Sequence, residues 1–325
     1  MSETTSYHGQ PVIKEPIWTW EIPTYFFTGG LAGASAGLAY LSGVRGNDVL
    51  ARRAWAGAFA GVAVSPLFLI SDLGRPARFM NMLRMFKVTS PMSVGSWILS
   101  VSGATTTLAA ANAWTGWFPR SARVARPVAA LFGLPLSTYT AALIANTAVP
   151  VWHQSRRLLP FVYGSGAALT AGGVAVASTP PEHAAPARRL AIAGALFEVG
   201  VKEVMHHQLG EHGEPYKNGP GALFGHISRI CNLTGAALLY RRGARSRGAA
   251  VAAGALMCAG AMSARWSTYK AGFQSAADPR YVVSPQRRMI ESGERKGAAR
   301  RAPKVSEATP AEGSPATAPV ELSAP

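Results

Sequence analysis

The chain has 325 residues, of which 48% are hydrophobic and only 15% are charged. An average soluble domain is about 25% charged. The low charged fraction of this chain therefore argues against a soluble enzyme of this length. The net charge of +16 does not indicate nucleic-acid binding. The Lys and Arg residues form short clusters between long uncharged stretches, which is the pattern of loop charges in a membrane protein.

Six stretches without charge are long enough for a membrane-spanning helix, which needs about 20 residues to cross a hydrocarbon core of ~30 Å. In chain order they are 22–44, 54–71, 93–114, 127–152, 158–181 and 248–264. Two further stretches, 190–209 and 218–240, have a suitable length but carry charges. The sequence therefore predicts an all-α, polytopic transmembrane helical bundle of about eight spans.

The same pattern predicts three parts of the chain. Residues 1–21 form an N-terminal segment, and residues 22–266 form the eight-span domain. Residues 267–325 are rich in Ala, Pro, Ser, Glu and Arg without an apolar period, which is typical of a largely disordered tail. Within the spans, Gly29, Gly33 and Gly37 recur every four residues, as do Gly57 and Gly61, a spacing that favours close helix packing in lipid.

A first polar cluster lies in the short link between the second and third spans. Asp72 ends an apolar span, and Arg75 follows three residues later, close enough to form an ion pair with it. Gly74 permits an unusual turn, and Pro76 holds the residue before it extended. Two interpretations stay open: a structural ion pair that fixes the turn, or part of a functional site.

A second cluster lies on the sixth span. Glu198, Lys202 and His206 fall at i, i+4 and i+8 and share one helix face, and Glu203 and His207 form a parallel pair about 100° round the helix. Such a stripe is too costly to face lipid, and paired Glu, Lys and His side chains are typical of a proton relay. The alternative is that this helix end is interfacial and its charges are solvated.

Two single residues are further candidates for function. Glu21 opens the first span, and Tyr139 lies in the fourth span. The alternative for Tyr139 is structural, because a buried Tyr commonly does no more than form a hydrogen bond through its hydroxyl. Cys231 and Cys258 are isolated in apolar surroundings and cannot hold an iron–sulfur cluster. Haem would need His pairs that face each other across spans. The sequence predicts neither haem nor an iron–sulfur cluster in this chain.

Several segments together resemble the NrfD/PsrC family of polysulfide-reductase-type membrane subunits. The likeness covers about residues 18–265, and in the second half it rests mainly on hydropathy and the loop 215–221. The specific segments are WTWEIPTYFFTGGLAGASAG at 18–37, DLGRP at 72–76, RFMNML at 78–83 and TSPMSVGSW at 89–97.

The resemblance implies a multi-pass subunit of an oxidoreductase complex in the bacterial inner membrane. Family members bind a quinone or quinol (menaquinone or ubiquinone) but no metal or haem. They dock a ferredoxin-like iron–sulfur subunit that connects to a molybdopterin catalytic subunit, as in polysulfide-, nitrite- or formate-linked complexes. Such a subunit exchanges electrons between the quinone pool and the iron–sulfur partner.

The family's quinone pocket is formed by the first four spans, near the end where the first span begins. Asp72 and Arg75 match the family motif directly, Glu21 occupies a polar position where other members carry His or Asn, and Tyr139 is placed by its span only. A quinone site needs hydrogen-bond donors and a proton carrier. The resemblance and this chemistry together predict a quinone site of Glu21, Asp72, Arg75 and Tyr139.

The sixth span is then predicted to carry protons through Glu198, Lys202, Glu203 and His206. Two other functions stay open from the sequence. A secondary transporter would use the ionisable stripe together with the spans interrupted at Ser65-Pro66 and Leu134-Pro135. A purely structural anchor for a peripheral enzyme would use neither.

Overall fold

The computed structural model describes residues 13–283, and these contain helices and no β-strand. Ten α-helices begin and end in this part of the chain, eight of them with 20 to 31 residues, and a further helical segment begins at 280. They are α1 (Glu21–Val44), α2 (Asp48–Asp72), α3 (Phe79–Arg84), α4 (Pro91–Thr115), α5 (Pro119–Ala145), α6 (Pro150–Gln154), α7 (Leu159–Ser178), α8 (Ala185–Leu209), α9 (Pro220–Arg242) and α10 (Arg247–Ala277).

The eight long helices lie where the eight spans are predicted, so the prediction of an all-α, polytopic helical protein is confirmed. Four of them, α2, α5, α7 and α10, are long and apolar enough to cross a membrane by length and composition. The sequences of α1 and α4 contain many Gly, Ser and Thr residues, and α8 and α9 carry charges, which lowers their hydropathy.

Successive long helices run in opposite directions, so their connections gather at two ends. End A, where α1 begins, holds the long connections 73–90, 146–158 and 210–219, with α3, α6 and 3-10 turns in them. End B, the opposite end, holds the short turns 45–47, 116–118, 179–184 and 243–246. At end B the Asn47 side chain donates to the His183 carbonyl at 2.9 Å. Most of the organised connecting structure is therefore at end A.

Small residues let α1 approach two neighbours closely. A Cβ added to Gly133 of α5 would overlap the Gly33 carbonyl of α1, and the reverse is also true. A Cβ added to Gly61 of α2 would lie 2.7 Å from the Thr28 carbonyl oxygen of α1. A Cβ at Gly37 would meet nothing within 4 Å. The predicted glycine packing is thus present at Gly33 and Gly61 and missing at Gly37.

The prolines within the long helices do not break them. α2 continues through Pro66, and α5 continues through Pro127 and Pro135. Beside Pro66, the hydroxyls of Ser65 and Thr28 lie 2.8 Å apart and join α2 to α1. The interrupted spans that a transporter would need are absent from these two helices.

The last helix is longer than the sequence suggests. α10 continues to Ala277, eleven residues beyond the expected end of the spanning domain at 266, and Thr268, Ala271 and Ser275 are buried. Gly272 lies so close to the Trp152 ring that a Cβ there would overlap it. The small residues after 266 therefore pack as helix in the bundle. The remainder of the expected tail, from 284, lies outside the described residues, as do residues 1–12.

Candidate functional site

The beginning of α1 and the end of α2 meet at end A and bring two acidic side chains together. Asp72, the last residue of α2, accepts hydrogen bonds from the Thr19 backbone N–H at 3.3 Å and from the Thr19 hydroxyl at 3.1 Å. The same hydroxyl contacts the carboxylate of Glu21, the first residue of α1. Glu21 and Asp72 are thus joined through one side chain, although they are 51 positions apart.

Tyr139 lies further inside the bundle on the same side. Its ring packs against Gly95 of α4 so closely that a Cβ there would overlap it. It also meets Tyr25, one turn into α1 from Glu21, edge to face, with ring centroids 6.5 Å apart. The buried Tyr25 hydroxyl has no partner among the described residues. Two phenols therefore lie below the acidic pair where α1, α4 and α5 meet.

Arg75 does not form the ion pair with Asp72 that the sequence suggests. No ion pair in the described part of the chain includes Asp72, which Thr19 holds instead, and Arg75 is exposed. Gly74 has the unusual backbone that is predicted for it, with φ of +63°. The Gly74 turn lies in the connection 73–90, and the predicted ion pair between Asp72 and Arg75 on either side of it does not form.

The segment before α1 is fixed by α10. The Tyr269 hydroxyl donates to the Trp18 carbonyl at 2.5 Å, and the Trp18 ring stacks on the Trp152 ring with centroids 5.6 Å apart. Trp152 is fully buried and donates from its ring nitrogen to the Thr268 carbonyl at 2.7 Å. The part of α10 beyond 266 thus holds Thr19 in position for both carboxylates.

Removing the Tyr269 hydroxyl is expected to weaken this attachment. Tyr269→Phe loses one hydrogen bond of about 1 kcal/mol, which corresponds to a fall in melting temperature of about 3 °C. Tyr240→Phe is the matched control, because Tyr240 is 82% exposed. Thermal unfolding followed by tryptophan fluorescence measures both variants, and equal shifts in the two would contradict the assigned role of Tyr269.

A second polar group is buried between α8 and α9. Glu198 is fully buried, and its carboxylate lies 2.6 Å from the Lys202 ammonium. Lys202 donates to the Ser228 hydroxyl at 3.0 Å, and the Asn232 amide donates to Glu198 at 3.3 Å. Each of these side chains has a polar partner on the facing helix, and the Asn232 side-chain oxygen has none among the described residues. Glu198 and Lys202 therefore face the bundle interior rather than lipid, as the sequence predicts.

Arg265 belongs to the same interior, which the sequence does not reveal. It is only 2% exposed, donates to the Tyr163 carbonyl at 2.9 Å and lies 4.0 Å from the Tyr163 ring centroid. A Cβ at Gly166 would lie 2.8 Å from the Arg265 guanidinium and 3.2 Å from the Glu198 carboxylate. The two charges thus face each other across the small residue Gly166.

Arg265 is difficult to recognise as an interior residue from the sequence. It directly follows the uncharged stretch 248–264, and a charge at that position resembles the start of a tail. The sequence does contain one indication that the helix continues past Arg265. Small residues, including Ala271, Gly272 and Ala276, follow it. With Arg265 included, the buried charge cluster contains two cations, Lys202 and Arg265, and one anion, Glu198.

The remaining residues of the predicted proton path surround a cavity of about 270 Å³ near end A. Lys202, Glu203 and His206 all line it, and the His206 ring stacks on the Tyr216 ring with centroids 4.9 Å apart. Glu203 pairs with Arg229, and both are about half exposed. Burial raises the pKa of the Tyr216 hydroxyl, which lies in the connection 210–219. The cavity lining thus includes both the half-exposed pair Glu203 and Arg229 and the largely buried Lys202.

The structure therefore places the predicted site residues in two groups. Glu21, Asp72 and Tyr139 lie among α1, α2, α4 and α5, whereas Glu198 and its neighbours lie among α7, α8, α9 and α10. The groups border each other where the Phe26 and Tyr163 rings meet, with centroids 5.7 Å apart. Within residues 13–283, no group of three or more His, Cys, Asp or Glu side chains is arranged to hold a metal ion.

A comparison with family models identifies the group to which this architecture belongs. A model of the NrfD type, described as polysulfide reductase, matches residues 4–278, which is most of the chain and includes all eight long helices. No curated protein matches the chain. Membership implies an integral membrane subunit of a reductase complex. The chain belongs to the polysulfide reductase family of NrfD-type membrane proteins.

Proposed function

We propose that this chain is the quinone-interacting subunit of an oxidoreductase complex in the bacterial inner membrane. In this proposal it exchanges electrons between the quinone pool and a ferredoxin-like iron–sulfur subunit, which connects to a molybdopterin catalytic subunit. The observation that carries the proposal is the meeting of α1, α2, α4 and α5 at end A, with Glu21, Asp72 and Tyr139 among them.

Conversion of a quinone to a quinol takes up two electrons and two protons, so the site must donate hydrogen bonds and pass protons. Tyr139 supplies a phenolic donor; Arg75 is exposed three residues after Asp72, and its role as a second donor rests on the resemblance alone. Thr19 offers one hydroxyl proton to two carboxylates. A proton held by Glu21 or Asp72 would complete this network, so either acid is suited to hold a proton and pass it to the substrate.

End A also suits the docking of a partner subunit. The connection 73–90, which follows Asp72 in the chain, exposes the apolar side chains Met80, Met85, Phe86 and Val88. Contiguous exposed apolar side chains mark interaction surfaces. An iron–sulfur subunit seated there would be next to the proposed quinone site, which shortens the path for electrons.

A second part of the proposal assigns proton movement to α8. Protons would enter the cavity beside Glu203 and His206 and reach Glu198 by way of Lys202. The ion pair between Glu198 and Lys202 supports this assignment, because a charged pair at membrane depth is typical of proton pathways. No described feature favours transport of another solute, since α2 and α5 are continuous.

Asp72→Asn is expected to lower quinone-linked turnover of the assembled complex by about 100-fold, the usual contribution of a positioned proton carrier. The Asn side chain can still accept from Thr19, so folding should be retained. The measurement is reduction or oxidation of an added short-chain quinone by membranes that contain the complete complex.

Glu182→Gln is the control, since Glu182 is an exposed acidic residue in the end-B turn 179–184. Its turnover should equal that of the wild type. If Asp72→Asn assembles normally and turns over at the wild-type rate, Asp72 is not part of the quinone site, and the structural-anchor interpretation gains support.

A further inference from the structure

A cavity of about 450 Å³ lies at end B, far from the proposed quinone site. We call it the end-B cavity. It lies between α1, α2, α4 and α5, and its walls combine basic, amide and aromatic side chains with apolar ones. Its polar and aromatic lining consists of Tyr40, Asp48, Arg52, Trp55, Asn112 and Arg126.

Arg126 lines this cavity, and one of its N–H groups has no hydrogen-bond partner among the described residues. Its guanidinium donates to the Asn112 side-chain oxygen at 2.8 Å, while its Nε is buried and has no partner among the described residues. A guanidinium has five N–H donors and binds phosphate oxygens in a planar, two-point arrangement. Arg52 of α2 is exposed, lines the same cavity and adds a second cation.

The surroundings of the cavity are strongly basic. Among the described residues, twelve arginines and only two acidic residues, Asp48 and Glu182, lie in the turns of end B or within about two helical turns of them. Asp48 is exposed and lines the cavity, so the cavity itself carries two cations and one anion. The charge at this end thus favours an anionic ligand.

The position of the cavity favours a lipid as the source of that anion. Trp114 and Trp117 are exposed at the same end, and the Arg53 guanidinium lies over the Trp114 ring at 5.7 Å. Exposed Trp side chains at helix ends are typical of the headgroup level of a bilayer, and basic pockets between spans bind anionic headgroups. We propose that the end-B cavity binds the phosphate of an anionic phospholipid through Arg52 and Arg126.

The test uses the full chain, purified in neutral detergent and depleted of lipid, with tryptophan fluorescence to follow thermal unfolding. Phosphatidylglycerol is expected to raise the melting temperature by about 5 °C, because a ligand that binds only the folded state stabilises it. Phosphatidylcholine and inorganic phosphate at the same concentration should not. Arg52→Ala and Arg126→Ala should each lose most of the rise.

Arg123→Ala is the matched control, since Arg123 is an exposed arginine on α5 one turn before Arg126 and does not line the cavity. It should keep the full rise. If Arg126→Ala fails to fold, exposed Arg52 carries the test alone. An equal rise with phosphatidylcholine or inorganic phosphate overturns the proposal, and so does an equal loss in Arg123→Ala and Arg52→Ala.

Discussion

Glu198→Gln is expected to lower the melting temperature by about 10 °C, because removing one partner of a buried ion pair costs about 3–5 kcal/mol. In the wild-type protein the Glu198 carboxylate compensates two cations, Lys202 at 2.6 Å and Arg265 across Gly166. The variant would leave both cations in the interior without an anion. Lys202 is 14% exposed and can move partly toward the cavity, but Arg265 is fully enclosed.

The control for Glu198→Gln is the same substitution at Glu203, on the same helix. Glu203 pairs with Arg229 at the surface, where an ion pair contributes less than about 1 kcal/mol. Its melting temperature should therefore change little. Equal falls in the two variants would show that the buried charge cluster is not the reason for the effect.

A double variant separates stability from proton transfer. Glu198→Gln combined with Lys202→Met restores the wild-type net charge of the buried cluster. At least half of the lost stability should therefore return. Quinone-linked turnover should nevertheless remain low, because the interior carboxylate is still missing. A double variant that regains both stability and turnover would remove Glu198 from the proton path.

Gly133→Ala is expected to destabilise the protein by about 3 kcal/mol, the upper range for overpacking, although alanine is the better helix former. The new Cβ would overlap the backbone carbonyl of Gly33. A backbone atom cannot rotate away as a flexible side chain can, so α1 and α5 must separate. The change would also move Tyr25 relative to Tyr139, and turnover should fall together with the melting temperature.

Gly103→Ala on α4 provides a control with the opposite expected sign. A Cβ at Gly103 would meet nothing within 4 Å, so helix propensity alone should act and give a gain of up to about 1 kcal/mol. Thermal unfolding and the amount of folded protein in the membrane measure both variants. If Gly133→Ala also raised the stability of the protein, the close contact of α1 with α5 would be disproved.

Much of the helical architecture could be predicted because membrane insertion imposes a local rule. Runs of about 20 residues with few charges are required by the thickness of the bilayer, and they are visible without any tertiary information. The same rule hides Arg265, which directly follows the uncharged stretch 248–264 although the helix continues past it to Ala277. A charged residue inside a long helix ends an apolar run in the sequence, whether or not the helix itself ends there.

The acidic pair shows a different limit. The sequence indicates Asp72 as a functional candidate, but it suggests Arg75 as its partner because the two are near in sequence. In the structure Asp72 accepts its hydrogen bonds from Thr19, a residue that no local sequence pattern associates with it. Hydrogen-bond partners depend on which helix ends meet, and that is decided by packing over the whole chain.

The sequence by itself determined the helical class, the eight helical segments, the family and most of the candidate residues, because hydropathy and short motifs are local properties. Only the tertiary structure decided that α10 extends to Ala277, that Arg265 faces Glu198, and that Arg126 lies in a basic cavity with an unpartnered nitrogen. These facts depend on which side chains different helices bring into contact. A contact between distant residues leaves no trace in the local composition.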